Sequence, residues 1–175
     1  MKNLSPLALL IAVATACVCM TTARAQPGPA AGHTTEEARN IAVTKAAFAA
    51  WRDGTGSPYD LLAEDMSWTI VGRSEASRTY PSRVAFIDQV IRPFNARMRE
   101  PLKPTIRSLH ADGSSVVIFF DASGIARDGI PYTNTYAWIW QMEDGKVVNA
   151  HAFFDSIAFN DLWRRVPAEP TASNR

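Results

Sequence analysis

The sequence predicts an α+β fold with helices first and strands after, on three observations. A capping box at Thr34 and Glu37 opens a segment with helical spacing of apolar residues. From Pro104 onward the pattern changes from helical spacing to alternation. Two Asp-Gly pairs, Asp128-Gly129 and Asp144-Gly145, punctuate that alternation as hairpin turns do.

The first helix is predicted over "ARNIAVTKAAFAAWRD", with Ile41, Ala47, Phe48 and Trp51 on one apolar side and Gly54 as its stop. Ser57-Pro58 supplies a cap and a first-turn proline for a short second helix, "YDLLAED". "MSWTIVG" follows as a strand. "PSRVAFIDQVIRPFNARM" is helical again, and Pro93 ends or kinks it because proline lacks the amide proton the helix needs. "SIAFNDLWRRV" is the last helix, directly after Asp155.

Outside this domain, residues 26–33 and 167–175 are rich in Pro, Gly, Ala and polar residues, and they read as a disordered lead-in and tail. Residues 2–25 carry one lysine, an apolar run and a terminal Ala23-Arg24-Ala25, the pattern of a signal peptide cleaved before Gln26. The expected location is periplasmic or secreted, with lipidation at Cys17 as the alternative. Both cysteines, Cys17 and Cys19, lie in that segment, so the mature chain has no disulfide and no thiolate chemistry. Removing Lys2 and Arg24 leaves 16 basic against 17 acidic residues, a net charge of −1. Such a balance gives no electrostatic basis for nucleic acid or an anionic membrane surface. The spacings of a metal site, a phosphate loop and a serine nucleophile elbow are absent from the sequence, so no cofactor is expected.

If both Asp-Gly turns are two-residue loops, strand pairing can be counted from them. Around Asp144-Gly145, Trp138 then opposes His151, Tyr136 opposes Phe153 and Asn134 opposes Asp155. Around Asp128-Gly129, Ser123 opposes Asn134 and Asp121 opposes Tyr136. Side chains alternate between faces. One face therefore gathers Tyr132, Asn134, Tyr136, Trp138, His151, Phe153, Asp155 and Asp121. The other gathers Thr133, Thr135, Ala137, Ile139, Val148, Ala150, Ala152 and Phe154. The first is read as the wall of a pocket under the helices, and the second as a homodimer surface. A slip of one residue would exchange the faces.

The segments "SRTYPSRVAFIDQVIRPFNARM", "GIPYTNTYAWIWQMEDGKV" and "AFFD" resemble the SnoaL-like branch of the nuclear transport factor 2-like superfamily. That resemblance implies a cone-shaped barrel, a curved and mostly antiparallel sheet wrapped around N-terminal helices, with a small-molecule pocket and often a dimer. It also implies an acidic group acting at the position of Asp155. The parts of a ketosteroid isomerase are not matched: Ala47 stands where that enzyme has a first-helix tyrosine, and "SWTIVG" has no carboxylate. Asp121 lacks the arginine that accompanies it in limonene-type epoxide hydrolases.

The expected function is an exported pocket protein for a small, largely apolar molecule. As an enzyme it would use Asp155 as acid or base, His151 in support, and Asn134 and Tyr136 on a developing oxyanion. As a carrier it would use the aromatic wall alone. Trp68 and Tyr80 are candidates for the pocket mouth, with Asp121, Tyr132, Trp138 and Phe153 as further ligand contacts. Asp155 has two readings from sequence, site carboxylate or N-cap of the last helix.

Overall fold

A computed structural model describes residues 34–168. The signal-peptide pattern, both cysteines, the lead-in and most of the tail lie outside the described residues. Thr34 opens the fold as expected: its hydroxyl accepts the Glu37 amide at 3.2 Å, and the Glu37 carboxylate accepts the Thr34 amide at 2.7 Å. Helix α1 (Thr35–Asp53) ends at Gly54 in the left-handed conformation. It buries Asn40, Thr44 and Phe48, one residue per turn. The other Glu37 oxygen accepts the Gly113 amide at 2.9 Å and ties the start of α1 to a sheet turn.

The predicted second helix is a single 3₁₀ turn, Pro58–Leu61. Strand β1 (Leu62–Ile70) starts at once, four residues before the sequence suggests, because Leu62 and Met66 are both buried core residues of a strand. The two-residue strand β2 (Thr79–Tyr80) pairs with it. A helical run then passes through α2 (Arg83–Phe86), a π turn (Ile87–Ile91) and α3 (Arg92–Asn95). Pro93 does not end this run. The π turn preceding it widens the backbone where the proline ring would meet a carbonyl and where its missing N–H would break the ladder.

Strands β3 (Met98–Asp112), β4 (Ser115–Ala126), β5 (Pro131–Glu143) and β6 (Lys146–Phe154) lead to helix α4 (Ser156–Arg165). The curved six-stranded sheet has the order β2-β1-β6-β5-β4-β3, antiparallel except for the β1–β6 pair. α1 crosses its inner face, where Phe48 packs against Phe120 and Trp138 at ring distances of 4.9 and 5.7 Å. Among the described residues no helix is long and apolar enough to cross a membrane.

The strand register departs from the turn count in two places. Asp144-Gly145 is the expected two-residue turn, with φ of 47° and 77° and Glu143 opposite Lys146. Pairing then shifts between Met142 and Gln141, leaving Val148 without a partner on β5. Beyond this bulge Trp138 opposes Ala152, not His151, and Tyr136 opposes Phe154, not Phe153. The other hairpin has a three-residue loop, Arg127 to Gly129, in which Gly129 takes φ 88° and the Ala126 amide bonds to the Ile130 carbonyl. Phe120 therefore opposes Tyr136, and Asp121 opposes Thr135.

Each one-residue shift reverses the faces of the partner strand relative to β5. The β5 face keeps Tyr132, Asn134, Tyr136, Trp138 and Trp140 inside. Its inner neighbours become Val116, Ile118, Phe120 and Ala122 on β4, and Ala150 and Ala152 on β6. His151, Phe153 and Asp121 move to the outer face with Thr135 and Ile139.

Candidate functional site

A cavity of about 650 Å³ opens between the sheet and the helices. Its walls are the last turn of α1 (Trp51), the 3₁₀ turn (Tyr59), β1 (Trp68, Ile70) and the α2–π–α3 run (Phe86, Ile87, Val90, Ile91, Phe94). The sheet adds Tyr136, Trp138, Ala152 and Phe154. The lining is mainly aromatic, and the rings brace one another. Trp68 stacks on Phe86 at 4.4 Å and meets Trp138 edge-on at 5.1 Å, while Trp51 lies parallel to Trp138 at 6.2 Å. Phe120 stacks behind Tyr136 at 4.8 Å. Such interlocked pairs hold a wall in place more firmly than burial alone.

Polar groups in this wall are few. Tyr136 and Tyr59 bring phenols, and the Trp68 Nε1 is buried without a hydrogen-bond partner among the described residues. Charged groups line the cavity as Asp60, Arg83, Arg92 and Arg99. Arg83 lies 3.8 Å from Asp60, Arg92 pairs with Asp88 at 2.5 Å, and Arg99 with Glu100 at 3.6 Å. These pairs are largely solvated, so each contributes little to stability.

Behind the wall runs a chain of hydrogen bonds. The Asn134 side chain clasps the backbone of Asp155: its Oδ1 accepts the Asp155 amide at 2.9 Å and its Nδ2 donates to the Asp155 carbonyl at 3.0 Å. The same Nδ2 donates to the Tyr132 phenol oxygen at 2.9 Å, and the phenols of Tyr132 and Tyr136 are 3.2 Å apart. Burial raises the pKa of Tyr59, Tyr132 and Tyr136 above the ordinary phenol value, and proximity of Tyr132 raises Tyr59 and Tyr136 further. All three phenols are therefore protonated at neutral pH.

The structure divides the residues singled out from sequence. Trp68, Tyr136 and Trp138 line the cavity, with Tyr132 and Asn134 immediately behind Tyr136. Asp155 is not among the lining residues. Its carboxylate accepts the Ile157 amide at 2.8 Å as the N-cap of α4, and its side chain borders a shallow polar groove on the outer face with Asp121, Thr133, Thr135 and Lys103. The expected opposition of Asn134 and Asp155 becomes a side chain holding a backbone, not two side chains meeting a ligand.

Asp121 is engaged on the outer face, taking the Thr135 hydroxyl at 2.7 Å and the Arg107 guanidinium at 2.6 Å. The Thr135 hydrogen bond, followed by that of Arg107, holds its carboxyl below the ordinary value. His151 and Phe153 are exposed on β6, displaced from the cavity by the bulge. Tyr80 is not at the mouth: it is buried, and its hydroxyl donates to the Ala76 carbonyl at 2.8 Å.

Sequence reasoning placed Trp51 on the core side of α1 and did not connect it with a site. It missed Tyr59, Phe86 and the π turn entirely. The available signals were the aromatic at the C-terminal end of a helix before Gly54, and Pro93 inside a helical pattern, since π turns frequently accompany binding sites. Among the described residues no three His, Cys, Asp or Glu side chains converge as a metal-binding set.

The chain superposes on Bal32a, from a soil-derived mobile gene cassette, with a TM-score of 0.61 at 22% identity, covering 74% of this chain and 99% of that one. A nuclear transport factor 2-like protein from Burkholderia thailandensis gives 0.58 at 21% identity, covering 70% and 95%. TerC, co-crystallised with polyporic acid, gives 0.57 at 22% identity, covering 71% and 97%. These likenesses establish the cone-shaped fold. A comparison with curated proteins finds no match. The profile of the SnoaL-like domain matches residues 42–150, which spans most of the chain from α1 to the middle of β6, and the protein belongs to the SnoaL-like domain family.

Proposed function

We propose that the protein binds one small, largely apolar, ring-bearing molecule in the cavity between sheet and helices. The observation that carries this reading is the cavity itself: about 650 Å³, walled by braced aromatic rings and with phenols as its inner polar groups. A pocket of this size and lining is typical of small-molecule sites. That TerC, with the same fold, was co-crystallised with polyporic acid supports a small-molecule reading. Acid or base chemistry by Asp155 draws no support from its place as a helix cap on the outer side.

The test is equilibrium dialysis of the mature chain against two- and three-ring aromatic compounds, with tryptophan fluorescence as a second readout through Trp51, Trp68 and Trp138. Saturable binding to one site is expected, with recovery of each compound unchanged by mass spectrometry. Absence of saturable binding across the set refutes the reading, and conversion of a compound replaces carriage with catalysis.

Two accompanying proposals rest on separate observations. The outer sheet face exposes Val117, Phe119, Ile139 and Phe153 on three adjacent strands, which supports a homodimer through this face. Ile139→Glu should convert a sedimenting dimer to monomer, and an unchanged dimer moves the interface elsewhere. Ala150, on the outer face by turn counting, is buried on the inner face. The pattern of residues 2–25 supports export. Amino-terminal sequencing of the processed chain should begin at Gln26, and a start at Cys17 would mean lipidation instead.

A further inference from the structure

The hydrogen-bond chain behind the cavity wall has a direction that can be worked out from its buried end. Asn134 is 6% exposed, and its amide orientation is fixed because Oδ1 must accept the Asp155 N–H while Nδ2 faces the Asp155 carbonyl. The Nδ2 therefore donates to Tyr132, and the Tyr132 oxygen acts as acceptor. Tyr132 is 2% exposed, and among the described residues its remaining hydrogen-bond partner is Tyr136. Were Tyr136 to donate to Tyr132, the Tyr132 proton would be buried with no acceptor, an arrangement that folded proteins avoid. With Tyr132 donating to Tyr136, the buried polar groups of Asn134 and Tyr132 are satisfied, and the one proton left over belongs to Tyr136. That residue lines the cavity and has no other partner among the described residues.

We propose that Asn134, acting through Tyr132, sets Tyr136 to donate its O–H into the cavity, so that the ligand is a ring compound presenting an acceptor oxygen, a ketone or similar carbonyl, at that point. This rests on the reading of the cavity as an aromatic ligand site and names the polar group it selects. Asn134 and Tyr132 are positioning residues, and Tyr136 is the ligand contact. Successive donors in one direction polarise each other, which strengthens the last bond. Only a phenolate at Tyr132 would draw the Tyr136 proton back, and burial keeps Tyr132 protonated.

The probes are 2-acetylnaphthalene and 2-ethylnaphthalene, alike in shape and differing by the carbonyl oxygen. Their affinities are compared by equilibrium dialysis, and the carbonyl stretch of the bound ketone is read by isotope-edited infrared difference spectra. The native protein should bind the ketone about tenfold more tightly, the ratio that one net hydrogen bond supplies. Its carbonyl band should lie below its position in hexane. Tyr136→Phe should bring the ratio to about one and return the band to its hexane position, with hydrocarbon binding kept. Tyr132→Phe should reduce the ratio and move the band part of the way back; a merely structural role would weaken both probes equally and leave the band of the bound ketone in place.

Equal affinity of the native protein for both probes, or an unshifted carbonyl band, overturns the donor assignment and leaves the ring-binding reading standing. A preference that survives Tyr136→Phe likewise overturns it. Failure to bind either probe, together with absence of saturable binding across the other two- and three-ring compounds, overturns both. The infrared band of the native complex decides the matter even if a variant fails to fold.

Discussion

Replacing Asn134 by alanine tests the central structural claim against the role sequence suggests for its neighbour Asp155. Asn134 makes three hydrogen bonds of 2.9 to 3.0 Å, two to the backbone of Asp155 and one to Tyr132. Each has a net worth of about 0.5–1.5 kcal/mol, and the loss is greater where a buried partner is orphaned, as Tyr132 would be. Water can reach part of the Asp155 backbone and offset some of that, so Asn134→Ala should cost about 2–3 kcal/mol. For a domain of this size that is a fall in Tm of about 8–12 °C. Asp155→Asn should be nearly neutral, because asparagine caps a helix as well as aspartate does, and Asp155→Ala should cost about 1 kcal/mol. Urea unfolding followed by far-UV circular dichroism gives all three values, and dialysis with 2-ethylnaphthalene shows whether the cavity survives. If Asn134→Ala lies within about 0.5 kcal/mol of native, the clasp on α4 is not a structural tie. If Asp155→Asn abolishes ring binding while keeping the fold, the carboxylate acts in the cavity and the assignment of faces is refuted.

Ala152 opposes Trp138 across β5–β6, neighbours Ile70 across β1–β6 and lines the cavity, so Ala152→Leu fills space that ligand would occupy. Probe affinity should fall at least tenfold by dialysis while unfolding free energy changes by no more than about 1–3 kcal/mol in either direction. On the outer face, Thr135→Val removes the hydrogen bond that does most to depress the Asp121 carboxyl pKa. An NMR titration of that carboxyl should move upward toward the ordinary aspartate value. The native chain gains stability from ionised Asp121 above the unfolded carboxyl pKa and loses that gain as pH falls through the depressed folded value. In Thr135→Val the gain itself should shrink, measured as a smaller difference in Tm between neutral and acidic buffer. Phe120 is fully buried, with ring contacts of 4.9, 4.8 and 4.8 Å to Phe48, Tyr136 and Trp138. Phe120→Ala should cost about 3–5 kcal/mol in urea unfolding.

The fold was legible because it is written in strong local signals. The capping box, the Gly54 stop, the run of alternating aromatics and the Asp144-Gly145 turn each correspond to the structure at the residues that carry them. The site was half legible, for one physical reason. Strand β5 alternates large aromatics with Thr, Ala and Ile, so its inner face is evident from composition alone. Turn length alone assigns the faces of β4 and β6, and two shifts of one residue each place Asp121, His151 and Phe153 on the side opposite to that assignment. No residue type announces the Val148 bulge. Asp-Gly serves two-residue and three-residue hairpins alike, so the loop at Arg127 to Gly129 was not decidable from the pair. The cost of burial was the better guide on β4. Turn counting buries Asp121 and Ser123 and exposes Ile118 and Phe120, whereas the observed register exposes the carboxylate, as its desolvation cost demands, and buries Ile118 and Phe120 while Phe119 turns outward.

The bulge at Val148 also bears on which β6 side chains face the cavity. With simple pairing from the Asp144-Gly145 turn, His151 and Phe153 would project inward beside Trp138 and Tyr136. In the observed register Ala152 stands beside Trp138 and Phe154 beside Tyr136, so a methyl group replaces an imidazole at one position and one phenyl ring replaces another at the next. Bulges near functional sites re-aim side chains, and this register brings Ala152 rather than His151 to the cavity beside Trp138. The same shift sends His151 and Phe153 outward to join Val117, Phe119 and Ile139. Removing Val148 would leave the later pairs and their faces intact, because Asn149 then follows Val147 in regular alternation. What holds Ala152 inward is the packing of β6 between β1 and β5, and the bulge is the local adjustment that reconciles this packing with a tight Asp144-Gly145 turn.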